Sequence, residues 1–253
     1  MHGNPTWSFY WRNLVTGLRD QWRLVVPDHL GCGLSDKPQD FAYSLERHID
    51  HLVQLVENLD LTRVTLVAHD WGGAIGLGTM LRLPERFVRI VLFNTGAFPP
   101  PFIPWRIRLC RIPGLGPLAV QGCNAFARAA LTMATEYPER LSPAARAGLL
   151  APYDSWRHRV AIQRFVEDIP TSPAHPTWRL LAEIEQGLSS LATQPVQMIW
   201  GMRDWCFTPD CLDRLLQHFP QAEVHRCEDA GHYVVEDAID RIVPWVRAFL
   251  AAH

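Results

Sequence analysis

The sequence predicts an α/β fold, a mostly parallel sheet with helices on both faces and an inserted helical segment. Two observations predict it. Short β-branched runs alternate with amphipathic stretches of helical length up to about residue 97, the rhythm of parallel strands joined by crossover helices. That rhythm stops over residues 98–188, where helical stretches are broken at Pro99-Pro100-Pro101, Pro113-Gly114, Gly116-Pro117 and Pro170 to Pro176, and then resumes. The expected division is a discontinuous core, residues 1–97 and 189–253, around a helical cap at 98–188.

Taken in order, a helix is expected around Trp7 to Leu18. Trp22 to Asp28 is short, β-branched and closed by turn residues, which predicts a buried strand. Ser44 is placed to cap a helix in which Ile49, Leu52, Val53, Val56 and Leu59 recur at helical spacing. Val64 to Ala68 then predicts a strand, Gly72 to Leu83 a helix, and Ile90 to Phe93 another strand. Beyond the insertion follow a strand at Val196 to Trp200, a helix at Pro209 to His218, a strand at Ala222 to His225, and a closing helix at Ile239 to Leu250.

Composition narrows the function. A hydrophobic fraction of 48% supplies a sizeable core, and the net charge of -2 gives no general attraction to nucleic acid or an anionic surface. A neutral or apolar small molecule is the expected ligand. Six cysteines (Cys32, Cys110, Cys123, Cys206, Cys211, Cys227) form no CxxC pair and no metal-like grouping with histidine, so reduced thiols, a cytoplasmic location and no metal are expected. No apolar run reaches the roughly 18 residues of a membrane span.

Three loops at the carboxyl ends of strands carry the chemistry, where open parallel sheets place their ligands. Val67-Ala68-His69-Asp70-Trp71-Gly72-Gly73 puts Asp70 at the apex of a strand-to-helix turn, flanked by the small residues Ala68 and Gly72 that such a reversal requires. An aspartate there also suits an N-cap. Asp204 and His232 each follow a later strand. A carboxylate is ionised at neutral pH and needs no base, so Asp70 is a candidate nucleophile that forms an ester with its substrate. His232, oriented by Asp204, then activates water against that ester or manages protons in a reaction without water. Trp71 offers an indole N–H, and Asn4 an amide, for a departing anion. The backbone N–H groups of Asn4 and Trp71 are candidates for an oxyanion hole.

The segments HGNPTWSFYWRN, PDHLGCGLSDKP, VAHDWGG, GMRDWCFTPD and DAGHYVVED together resemble the haloalkane dehalogenase branch of the α/β-hydrolase superfamily. The resemblance covers nearly the whole chain. It implies the α/β-hydrolase fold, the chain order nucleophile, acid, histidine, and the roles of Asp70, Asp204 and His232 with Asn4 and Trp71 as anion donors. Phe93-Asn94-Thr95 stands where a related subgroup carries a glutamate, which favours Asp204 as the acid. In the cap, LFNTGAF, CRIPGLGPLAVQG, FARAAL, GLLAPYDSWRHRVAIQRFVEDIP and SPAHP resemble the β-lactone decarboxylases of bacterial long-chain olefin biosynthesis. That likeness implies conversion of a cis-3,4-dialkyl β-lactone to a cis-olefin, without a cofactor, in association with other enzymes of the olefin pathway. Haloalkane dehalogenation is the alternative. Epoxide hydrolysis is weaker, because it uses paired cap tyrosines and only Tyr137 and Tyr153 lie in this cap. A non-catalytic ligand-binding protein on the same fold is the alternative from another class.

The resemblance also implies a central strand, preceded by two more, ahead of His2-Gly3. Only Met1 stands there, so the sheet is expected to lack those N-terminal strands. Two further segments stay open between readings. Trp105 to Leu131, with Arg106, Arg108, Arg111 and Arg128, reads as a membrane-touching surface or acyl-tunnel wall, or as a cap helix with its apolar stripe inward and its arginines in solvent. Trp7, Phe9 and Trp11 line a pocket or pack in the core.

Overall fold

The structure is a computed structural model that describes residues 1–253. Four parallel strands, β1 (Val64–Asp70), β2 (Phe87–Thr95), β3 (Val196–Gly201) and β4 (Glu223–Cys227), pair in the order β1-β2-β3-β4. Before β1 come α1 (Arg12–Leu18), preceded by a short 3-10 turn, and α2 (Leu45–Asn58). The Ser44 hydroxyl accepts from the Arg47 N–H at the start of α2, as the capping pattern predicts. α3 (Trp71–Arg82) leaves the end of β1 directly.

Between β2 and β3 the chain is helical: α4 (Trp105–Leu109), α5 (Leu115–Pro117), α6 (Ala125–Met133), α7 (Pro143–Leu150), α8 (Val160–Asp168) and α9 (Pro176–Gly187). The last three core helices are α10 (Pro209–His218), α11 (Val234–Asp237) and α12 (Ile239–Ala252). No helix is long and apolar enough to cross a membrane.

Both faces of the sheet are covered because its central strands, β2 and β3, are apolar on both sides. In β2, Ile90 and Leu92 enter one core cluster with residues of α2, α3, α9 and α10, while Val91 and Phe93 enter the other with residues of α1 and α12. Trp200 and Met198 of β3 point to the first cluster and Ile199 to the second. Alternation at a period of two thus reads here as two buried faces.

The expected strand at Trp22 to Asp28 is absent. The segment forms no ladder and is half-buried rather than buried. A groove of about 400 Å³ lies between Trp22, Leu24 and Val26 on one side and Val64, Leu66 and Val67 of β1 on the other. The apolar pattern reports burial, whereas a strand also needs a neighbouring backbone to pair with. No strand precedes β1. At the upper end of β1, however, Met1 runs beside it: the His69 N–H donates to the Met1 carbonyl, and the Met1 amino group donates to the Val67 carbonyl. That pairing delivers His2, Gly3 and Asn4 to the apex of the β1–α3 turn.

Candidate active site

Asp70 closes β1 with φ 53° and ψ -130°, a conformation that non-glycine residues seldom adopt. Its side chain does not cap α3, so the N-cap reading falls. Instead Oδ1 accepts the Asn4 backbone N–H at 2.7 Å, and the Trp71 backbone N–H also supports the charged carboxylate. These are the two donors expected of an oxyanion hole. In the resting protein the Asn4 N–H is engaged with Asp70 Oδ1. The approach is close enough to exclude a side chain at Gly3, whose Cβ would sit 2.0 Å from Asp70 Oδ1.

His232 stands between the two carboxylates. Its Nδ1–H donates to Asp204 Oδ2 at 2.7 Å, since a carboxylate only accepts, and its Nε2 lies 3.8 Å from Asp70 Oδ2. The other oxygen of Asp204 accepts the Cys206 N–H at 2.7 Å. Phe207 stacks on the imidazole with ring centres 5.7 Å apart. Burial raises the pKa of Asp70, against the opposing pull of His232 and the two backbone N–H groups. For His232 burial works against the imidazolium, but Asp204 and then Asp70 outweigh it and hold the pKa above its ordinary value.

Asn94 occupies the place of the alternative acid and is structural. Its amide donates to the Gly201 carbonyl at 3.0 Å and accepts the Gly201 N–H at 2.7 Å, tying β2 to the end of β3. Gly201 in turn lets the histidine loop come close, because a Cβ there would lie 2.1 Å from the Gly231 carbonyl oxygen.

Above this floor lies a cavity of about 420 Å³, lined by Asn4, Asp70, Trp71 and His232 below and by mainly apolar residues of the segment between β2 and β3 above. The volume falls within the usual range of small-molecule sites. Asn4 Nδ2 donates to the Ile162 carbonyl of α8 at 3.1 Å, which fixes the amide against the helical segment. Trp7, Phe9 and Trp11 line no part of this cavity and pack in the core. Tyr137 and Tyr153 are likewise off it, and the buried Tyr153 hydroxyl donates to the Thr6 carbonyl at 3.1 Å. No group of three or more His, Cys, Asp and Glu side chains is placed to hold a metal ion.

Three residues that support the site escaped the sequence reading. His69 is buried, with Nε2–H on the His232 carbonyl at 2.9 Å, and burial keeps it neutral. The Thr95 hydroxyl donates to the Asp70 carbonyl. Asp237 accepts the N–H groups of Gly231 at 2.8 Å and Glu136 at 3.0 Å, which orders the loop before His232. His69 and Asp237 lie inside segments already singled out, VAHDWGG and DAGHYVVED. Only long-range contacts reveal what they do.

Residues 1–239 match the family described as alpha/beta hydrolase fold. A cis-3-alkyl-4-alkyloxetan-2-one decarboxylase of Xanthomonas campestris pv. campestris is 43% identical over 99% of this chain and 86% of its own length. One from Shewanella oneidensis is 41% identical over 99% of this chain and 80% of its own. Among solved structures, the haloalkane dehalogenase DatA of Agrobacterium tumefaciens C58 superimposes with a TM-score of 0.88 at 27% identity, covering 99% of this chain and 87% of that one. With an aspartate on the elbow, a histidine and a second aspartate behind it, the chain belongs to the α/β-hydrolase fold family, in the branch that holds these decarboxylases and dehalogenases.

Proposed function

We propose that the chain decarboxylates long-chain cis-β-lactones to cis-olefins, with Asp70 as nucleophile, His232 and Asp204 as its partners, Asn4 and Trp71 as anion donors, and residues 98–188 as the cap. One observation carries the reading: a carboxylate on the elbow, backed by the histidine pair, faces a mainly apolar cavity. The chemistry balances without water. Asp70 Oδ2 bonds to the alkyl carbon of the lactone with inversion as the ring carbon–oxygen bond breaks, and the ring oxygen leaves as part of a carboxylate. N–H donors of Trp71 and Asn4 stabilise that anion. The carbon–carboxylate electron pair then becomes the alkene, carbon dioxide departs, and the ester bond breaks on the opposite face to regenerate Asp70. Inversion followed by anti elimination conserves the cis geometry. No proton is gained or lost, so an imidazolium at His232, favoured by both aspartates, stabilises the returning carboxylate.

The same residues support haloalkane dehalogenation as a second reading, favoured by the likeness to DatA. There Asp70 displaces halide and neutral His232 activates water against the ester. Epoxide hydrolysis loses support because neither Tyr137 nor Tyr153 reaches the cavity. Six unpaired cysteines support a cytoplasmic location, where the chain works beside the other enzymes of the olefin pathway.

Gas chromatography of incubations with a long-chain cis-β-lactone separates the readings. Cis-olefin is expected, with slow or no halide release from 1-bromo- and 1-iodoalkanes. Fast halide release without olefin would reverse the order, and binding with neither product would leave a ligand-binding protein.

A further inference from the structure

The segment from Phe102 to Leu118 is inverted relative to an ordinary surface helix. In α4 it is Ile107 that is buried, while Trp105 is 65% exposed and Leu109 is also in solvent. Ile112, Leu115 and Leu118 follow, the last 59% exposed, and Phe102 precedes them. These six are a majority of the eleven large apolar residues exposed on the whole molecule, gathered within seventeen positions. Scattered apolar residues at a surface need no explanation, but a contiguous group does.

Charge and position say what covers this face. From Phe98 to Thr135 the only charged residues are Arg106, Arg108, Arg111 and Arg128, a local excess of positive charge on a chain whose net charge is -2. Arg111 is occupied with the carbonyls of Val166 and Ile169. Arg106, Arg108 and Arg128 take part in none of the ion pairs of the protein. Arg106 lies instead over the rings of Trp105 and Trp205. The same stretch rims the active-site cavity, since Phe102, Trp105 and Leu109 line it and are exposed as well. Exposed Trp and Leu with unpaired arginines beside them are the chemistry of a protein surface that sits in the headgroup region of an anionic bilayer.

We propose that residues 102–118 dock on an anionic membrane surface, so that the cavity opens into the lipid from which a long-chain substrate is drawn. The delivery step rests on the lactone reading; the docking does not. A long alkyl substrate partitions into membrane, and a mouth facing water would require each chain to cross the aqueous phase before capture.

Co-sedimentation with phosphatidylcholine vesicles, with and without phosphatidylglycerol, tests the docking in the absence of any substrate. Binding to the phosphatidylglycerol vesicles is expected, weakened by salt. The double variant Leu115→Ser with Leu118→Ser, neither residue lining the cavity, should bind at least about tenfold more weakly. Arg108→Gln should lower binding and its salt dependence. Both variants should keep the wild-type near-UV circular dichroism and turnover of a short, water-soluble β-lactone. A folded wild-type chain that stays in the supernatant with both vesicle types, whether alone, as a dimer or with a protein partner, would overturn the proposal. So would wild-type affinity in both variants. Loss of lactone turnover with vesicle binding intact would instead count against the lactone reading alone.

Discussion

At the scale of single residues, the proposed mechanism rests on Asp70, which as a carboxylate needs no proton removed before it attacks and so leaves the histidine free for another task. The two aspartates therefore differ in kind. Asp70→Ala removes the atom that bonds to substrate and should abolish turnover. Asp204→Asn keeps the shape but offers an amide to His232 Nδ1, which changes the preferred tautomer and removes the charge behind the imidazole; a loss of up to about 10⁴-fold with detectable residual activity is expected. His232→Gln should trap an alkyl ester on Asp70 when a haloalkane is supplied, visible as a mass adduct. Near-wild-type turnover of Asp70→Ala would end the nucleophile assignment. Asp70, Asp204 and His232, which the fold brings together, were legible as candidates because each has a loop of its own after a strand. Thr95 and Asp237 were not, since a threonine inside a strand and an acid after the histidine loop acquire a role only when the fold brings the Asp70 carbonyl and the Gly231 N–H to them.

At the scale of elements, strand and helix periodicity recovered every strand of the sheet and the core helices α1, α2, α3, α10 and α12, though not the single turn of α11, because those segments bury apolar residues at the spacing of their own geometry. Trp22 to Asp28 misled for the same reason. Its apolar residues are half-buried against a groove, yet pairing is a relation between two backbones that one segment cannot announce. The fit between elements is likewise a property of pairs. The end of β3 and the loop before His232 approach until only glycine is tolerated at position 201, where a Cβ would meet the carbonyl oxygens of Gly231 at 2.1 Å and Ala230 at 2.9 Å. Gly201→Ala must therefore move backbone that also carries Asp204 and His232. A destabilisation of about 1–3 kcal/mol is expected, read as a lower melting temperature. The loss of kcat should exceed what the unfolded fraction explains, because the 2.7 Å contact between His232 and Asp204 shifts with the loop. Unchanged melting and kcat would show that the loop yields freely.

At the scale of the whole molecule, a second group of histidines governs the response to acid. His2, His29, His48 and His69 are all buried, and burial depresses all four, His2 to about 3 and the others well below the ordinary value. They pack against one another and against aromatic rings, with His2 and His29 4.3 Å apart and His48 stacked on Phe165 at 4.6 Å. Nothing in their individual sequence contexts sets them apart from the other seven histidines; the packing does. A histidine whose folded pKa is depressed leaves the unfolded chain holding more protons below about pH 6.5, so stability falls as pH falls, by up to about 1.4 kcal/mol per pH unit for each such group until the folded pKa is reached. His232 acts the other way: its raised pKa gives a contribution fully present below the unfolded value and lost as pH rises through the folded one. Asp70 and Asp168, raised chiefly by burial, also oppose the loss. Four depressed histidines against one raised one leave a net loss of stability as the pH falls from 7 to 5. The melting temperature should therefore drop over that interval. His48→Gln, which removes the ionisable ring beside His29, should flatten the slope. A melting temperature independent of pH from 7 to 5 would mean that these rings reach water in the folded chain.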